Sequence, residues 1–237
     1  MSGLVISGRE IRVPDYITTA LASPRRPADE RERDELRKMG PLMAFFDVKP
    51  GQQVADLMAS RGYVAGVLAE IVGEGGRVYA QNSVQLLARF KGDPPIARRI
   101  RDTGVTNLME IVAELEDPGL PAGQLDAVFS VMFYHDSVWV GTDRARMNAA
   151  IFRALKPGGI FAVVDHDALP GAGTSVAKDL HRIERQVVVD EATAAGFTLD
   201  AATDLLANPA DPKDVLVFDK SIKDHSDRFV LRFRKPG

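Results

Sequence analysis

From residue 52 to residue 165, short apolar runs alternate with stretches of helical period, and this alternation limits the fold more than any other feature of the chain. The runs are 52–57, Arg77-Val-Tyr-Ala-Gln-Asn82, Asn107-Leu-Met-Glu-Ile-Val112, Leu125-Asp-Ala-Val-Phe-Ser-Val-Met-Phe133 and Ile160-Phe-Ala-Val-Val164. Residues 125–133 are almost continuously apolar, as expected of a central parallel strand covered on both faces. Helical stretches at 63–72, 83–91, 95–102 and 142–155 separate the runs. Such a pattern predicts an α/β protein with a doubly wound, mostly parallel sheet and right-handed crossovers. A further helix near 184–195 and two last strands, 197–203 and 229–233, complete the pattern. The connections 208–212 and 220–227 between them are polar.

Before the first strand the chain has a different character. Residues 1–24 suit an arm or a short helix outside the core. Ala28-Asp-Glu30 gives an acidic helix start after Pro27. Residues 25–38 hold six basic and five acidic side chains, which suits a solvated, ion-paired face. Leu36, Met39, Leu42, Met43 and Phe46 form an apolar stripe suited to packing on the sheet. The expected division is therefore an N-terminal arm with packing helices over 1–46, a helical extension, and the α/β domain over 47–237.

Composition narrows the function. A net charge of -3 gives no overall field favouring nucleic acid or an anionic membrane. With no cysteine, thiolate nucleophiles and thiolate metal sites are excluded. No apolar run reaches the roughly 18 residues of a membrane span, and no signal pattern opens the chain. The expectation is a cytoplasmic protein with a small-molecule substrate, no nucleic-acid or membrane partner, and homodimerisation left open.

Two sets of residues carry chemistry. The stretch Val54-Ala-Asp-Leu-Met-Ala-Ser-Arg-Gly-Tyr63 is a strand, a tight turn and a helix start, the usual cofactor seat of an open α/β sheet. Its turn keeps Gly62 but has Met58 and Ser60 where glycines are usual, and Met58 is large enough to fill the slot. The second set is histidine. His135 beside Asp136 follows the fourth strand, and His166 follows the fifth, between Asp165 and Asp167. His181 falls in or near the next helical segment, with Glu184 three residues on. These are expected at one sheet edge, where a histidine near its free pKa can take a proton at neutral pH. Structural polar contacts are an equal alternative. A divalent metal polarising an acceptor oxygen is a third and less favoured one, since the spacings match no local metal motif. No residue is assigned as a metal ligand. His225 is expected to face solvent, and Asp126, at the start of its strand, to be structural. Tyr134 and Trp139 suit either an acceptor pocket or helix packing.

The order Asp56-Leu57, Gly62, Tyr79-Ala-Gln-Asn82, Leu125-Asp126 and Leu155-Lys-Pro-Gly-Gly159 resembles class I S-adenosylmethionine-dependent methyltransferases. A little-characterised branch of predicted methyltransferases is nearer still. It is matched by Arg26-Pro-Ala-Asp-Glu-Arg31, Phe133-Tyr-His-Asp136 with Trp139, Asp165-His166, Leu180-His-Arg-Ile183, Asn208-Pro-Ala-Asp211 and Arg228-Phe-Val-Leu-Arg-Phe233. The resemblance implies a Rossmann-like class I methyltransferase fold that binds S-adenosylmethionine and releases S-adenosylhomocysteine. It implies a cofactor site made by Asp56, Leu57, Met58, Ala59, Gly62, Tyr63, Gln81, Asn82 and Phe133. His135, Asp136, His166 and His181 are the expected catalytic residues. Two alternatives stay open: a protein that kept the fold but lost methyl transfer, and a different histidine-catalysed reaction in the same pocket.

Overall fold

The structure, a computed structural model, describes residues 11–237. Residues 1–10 of the expected arm lie outside the described residues. Three short helices come first, α1 (Asp15–Leu21), α2 (Ala28–Glu32) and α3 (Met39–Phe45). The alternating part then runs β1 (Gln53–Leu57), α4 (Tyr63–Val72), β2 (Arg77–Asn82), α5 (Val84–Ala88), α6 (Pro95–Thr103), β3 (Leu108–Val112) and β4 (Leu125–Val131). It continues through α7 (Asp136–Trp139), α8 (Arg144–Ala154), β5 (Leu155–His166), α9 (Arg185–Ala194), β6 (Thr198–Thr203) and β7 (Arg228–Arg234).

The seven strands form one sheet in the order β3-β2-β1-β4-β5-β7-β6, parallel except for β7, which runs against both of its neighbours. Period-two alternation sends Val54 and Phe129 to one face and Ala55 and Val128 to the other, so each strand feeds two cores. One core gathers α1, α3, α4 and α6, and the other gathers α8 and α9. Helix α4 is buried on nearly every side because it is clamped between the sheet and α1. After β3 the chain returns to the opposite side of β1 as β4. Ligands of open sheets settle outside the carboxyl ends of the strands at such a reversal.

Four expectations need correction. Ile17 of α1 is fully buried in the core beside α4, so this stretch is not an outlying arm. The charged segment 25–38 is not wholly solvated. Arg26 is buried and forked onto Asp34 at 2.5 and 2.8 Å, and buried Glu30 pairs with Arg99 of α6. The fifth strand, expected over 160–164, is longer: β5 begins at Leu155 and takes in Lys156–Gly159 as a bulge where Leu155 pairs Leu125 and Ile160 pairs Ala127. A Cβ at Gly159 would come within 2.9 Å of a backbone oxygen, which explains the glycine. Finally, His181 is not helical. It lies in an irregular segment with φ 53°, and Glu184 turns away from it to accept from the Gly171 and Gly173 amides.

The polar connections are also more than surface loops. Arg182 and Asp211 are both fully withdrawn from solvent and paired at 2.9 Å. Lys213 bridges Asp167 and Asp227 at 2.6 and 2.7 Å. Asp126 and Lys156 pair at 2.6 Å at the far end of the sheet, and Asp126 also accepts from the Gln53 amide, a structural role as expected.

Candidate active site

Two turns at the carboxyl ends of β1 and β4 build the site. The turn after β1 needs left-handed backbone, and two non-glycine residues supply it: Met58 (φ 49°) and Ser60 (φ 53°). Such residues are strained by of order 1–3 kcal/mol and must be held from outside. The amides ending β2 hold them. Gln81 Oε1 accepts from the Met58 amide at 3.1 Å, and Asn82 Oδ1 accepts from the Ser60 amide at 2.8 Å. Gln81 spends its other end on the Ala113 carbonyl at 2.6 Å, whereas Asn82 Nδ2 is buried with no partner among the described residues. Gly62 caps the start of α4 with a left-handed φ of 80°, which favours glycine, and a Cβ there would also press the tip of Ile96 at 2.7 Å.

This turn overhangs a cavity of 480 Å³. Of the expected cofactor residues, Asp56, Met58, Ala59, Tyr63 and Phe133 line it. Leu57, Gly62, Gln81 and Asn82 stand behind the wall, as core, helix start and turn supports. Asp56 is buried, and its Oδ2 has no hydrogen-bond partner among the described residues. Burial pushes its carboxyl up to about 7, opposed only by the Ala65 amide. Sequence reasoning missed Arg33, Arg37, Arg61 and Arg89 on the same wall. Arg33 and Arg37 lie over the Tyr63 ring, whose hydroxyl donates to Asp34 at 2.8 Å. The signal was present in the charge-rich segment 25–38, but its register toward the cavity is set by the buried Arg26–Asp34 pair.

The turn after β4 follows the same plan with a different support. Met132 takes φ 58°, and the chain then presents Phe133 and His135. Asp165, fully buried near the end of β5, accepts from the His135 amide with Oδ2 at 2.8 Å. Its Oδ1 accepts from the His166 amide at 2.8 Å and faces His135 Nδ1 at 2.6 Å. Asp165 was absent from the expected site. An acid closing an apolar strand was the available signal.

His135, His166 and His181 converge here, with ring centroids 5.7 Å apart for the first two and 5.2 Å for His135 and His181. His135 Nε2 lies 3.0 Å from Asp136 Oδ1 and 3.1 Å from His181 Nδ1, and the latter is 3.2 Å from Asp136 Oδ1. Trp139 Nε1 donates to the same Asp136 oxygen at 2.9 Å. Burial alone would lower the His135 pKa, but the carboxylates of Asp165 and Asp136 raise it to about 10. Burial would raise Asp136, and the His135 hydrogen bond and charge bring it below its usual value instead. His166 is shifted the other way. Burial and then the positive charges of His135 and Arg228 hold it well below 6.5, and its Nδ1 contacts Ser226 Oγ at 2.7 Å.

These three histidines and Asp136 line a second cavity of 730 Å³. It meets the first cavity at Arg37, Arg89, Met132, Asp136 and Trp139, which line both. Five cations, Arg37, Arg89, Lys178, Lys223 and Arg228, face it against two acids, Asp136 and Asp224. Arg228 is buried and bonds only the carbonyls of Ser226 and Asp224. Neither Arg37 nor Arg228 has a carboxylate partner among the described residues. Trp139 belongs to the walls of both cavities, but Tyr134 does not: it is fully buried, with its hydroxyl between Glu191 and Asn148 at 2.7 Å each. His225 is exposed, as expected.

Residues 62–163 match a family described as a methyltransferase domain. Over 83 residues the chain is 34% identical to a protein-L-isoaspartate O-methyltransferase of Aeropyrum pernix, covering 35% of this chain and 30% of that protein. Over 121 residues it is 31% identical to the ubiquinone/menaquinone biosynthesis C-methyltransferase UbiE of Vibrio cholerae, covering 49% and 42%. The chain thus spans less than half the length of these curated relatives. Among solved structures it resembles a SAM-dependent methyltransferase from Aquifex aeolicus with a TM-score of 0.61 and 18% identity, covering 93% of this chain and 97% of that one. At that identity the likeness speaks for the fold.

Proposed function

We propose that this chain, whose residues 62–163 match a methyltransferase domain, transfers a methyl group from S-adenosylmethionine to a small anionic acceptor. The observation that carries this reading is the pair of cavities joined over the end of β4. One contains an unsatisfied carboxylate, and the other contains histidines and unpaired guanidinium groups.

The first cavity suits the cofactor. Asp56 Oδ2 is a buried acceptor without a donor, the kind of group that an ammonium or hydroxyl of the cofactor would satisfy. Asp56, the backbone of Met58 to Ser60, Tyr63 and Phe133 would hold it. When bound, the cofactor supplies an electrophilic methyl group on a sulfonium sulfur.

The acceptor belongs in the second cavity. Arg37 and Arg228 offer guanidinium forks to a carboxylate or phosphate, and Trp139 and Phe218 offer apolar wall. His135 is engaged at both ring nitrogens, Nδ1 by Asp165 and Nε2 by Asp136 and His181, so it is not free to take a proton from an acceptor. His166 is neutral, and its Nε2 has no hydrogen-bond partner among the described residues, so it is the better base for an acceptor hydroxyl or ammonium proton.

Titration of the protein with S-adenosylhomocysteine in a calorimeter tests the cofactor half. Saturable heat at micromolar strength is expected, and absence of heat at millimolar ligand would overturn it. Radiolabelled S-adenosylmethionine offered with a mixture of small carboxylates and phosphate esters tests the transfer. Label should move to the anionic fraction in wild type and far less with His166→Gln. Labelling of uncharged acceptors alone would overturn the anionic assignment.

A further inference from the structure

Where the cavities meet, His135 Nε2, His181 Nδ1 and Asp136 Oδ1 form a triangle with edges of 3.0, 3.1 and 3.2 Å. Hydrogen bonds cannot make all three edges of such a triangle favourable. Each ring nitrogen carries at most one proton, directed along one line in its ring plane. With both nitrogens protonated, the His135–His181 edge sets two donors against each other. With only one protonated, the other ring nitrogen and the carboxylate oxygen face each other lone pair to lone pair. One edge is therefore repulsive in every arrangement, whereas a cation at the centre accepts all three lone pairs. Ligand atoms bound at about 2.1 Å around one ion sit about 3.0–3.4 Å apart in octahedral or tetrahedral sites. The observed edges fall in that interval.

The surroundings are those of a built site. Buried Asp165 faces His135 Nδ1 at 2.6 Å and so directs Nε2 into the triangle, the carboxylate–histidine support usual for metal-binding imidazoles. Trp139 Nε1 orients the Asp136 carboxylate at 2.9 Å. His181 is held in a left-handed backbone conformation that strain would otherwise disfavour. All three side chains line the second cavity, and Asp136 lines the first as well.

We infer that His135, Asp136 and His181 bind one divalent transition-metal ion whose remaining coordination positions open into the second cavity. Two imidazoles and one carboxylate select zinc, iron(II) or manganese over magnesium and calcium, which prefer all-oxygen sites. An acceptor oxygen seated on Arg37 and Arg228 would reach the ion through an open position and lose its proton more readily. That last role rests on the methyl-transfer reading, but the metal site does not.

Cobalt(II) titrated into tag-free, metal-stripped protein tests the site by calorimetry and visible absorption. One ion per chain is expected, with new d–d bands. Asp136→Asn and His181→Ala should each weaken binding at least tenfold. His181 is partly exposed on an irregular segment, so its removal should leave the thermal melt nearly unchanged, and that melt guards against an unfolded variant. Absence of cobalt binding at millimolar ion would overturn the inference. So would binding that both variants retain, or equal binding of magnesium. S-adenosylhomocysteine titrated into the same stripped protein separates the two readings. Cobalt binding without nucleoside binding keeps the metal site and removes the cofactor, and the converse removes the metal site alone.

Discussion

The turns after β1 and β4 solve the same backbone problem with different chemistry. Each needs left-handed residues that are not glycine, Met58 and Ser60 in one and Met132 in the other, and each is held by side chains from the end of the neighbouring strand. In the first turn the supports are neutral amides, Gln81 and Asn82. They use their oxygens on the turn's backbone amides, leaving Asp56 Oδ2 over the cavity without a donor among the described residues. In the second the support is a carboxylate, Asp165, which also grips the imidazole of His135 and thereby fixes its direction. A neutral support leaves a turn that can accept a cationic ligand. A charged support turns the same geometry into a place for reactive or metal-binding side chains.

The largest effect should come from removing the charged support. Asp165→Ala leaves His135 buried without its main partner and frees two backbone amides, so the melt should report a loss of about 3–5 kcal/mol. If the loss is no larger than for Asn82→Ala, about 1–3 kcal/mol for an orphaned buried donor, the distinction between the two turns fails. Next, His166→Gln should lower turnover by roughly 10²–10⁴ with little change in S-adenosylhomocysteine affinity. An equal loss of both would mark His166 as a structural residue.

Asp56→Asn probes the first turn at lower cost. The folded carboxyl sits near 7, above its ordinary value of 3.8. The cofactor-free wild type should therefore lose stability as pH rises from about 4 to about 7, with no further loss above that. Asp56→Asn should flatten this slope and raise stability at pH 8 by on the order of 2 kcal/mol. In wild type, S-adenosylhomocysteine should bind more tightly as pH rises through 7, because its ammonium favours the ionised carboxylate, and the variant should lose this dependence. The smallest effect is expected from Ser60→Gly, which relieves one left-handed residue and should stabilise by about 1 kcal/mol or less. Destabilisation would mean that the serine side chain contributes a contact outweighing its strain.

Much of this was legible in the residues. The apolar runs and helical spacings place all five parallel strands, four of them to within two residues at each end, because burial on both faces of a sheet leaves few alternatives to a continuous apolar strand; β5 alone runs well beyond its apolar run. The glycine-poor turn after β1, the three histidines after β4 and β5, and the likeness to methyltransferases can also be read without coordinates. Sequence could not tell supports from wall residues. Gln81 and Asn82 read like ligand-binding amides, yet their oxygens are committed to the turn. Residues 25–38 read as a solvated charged face, yet they carry a buried ion pair and two arginines that line the first cavity. Nor could spacings of 31 and 15 residues between histidines reveal a triangle closed to 3.0–3.2 Å. Periodicity is a local property, which the chain carries in its order. Convergence depends on where β4, β5 and the irregular segment at His181 are brought together, and only packing of the whole sheet decides that.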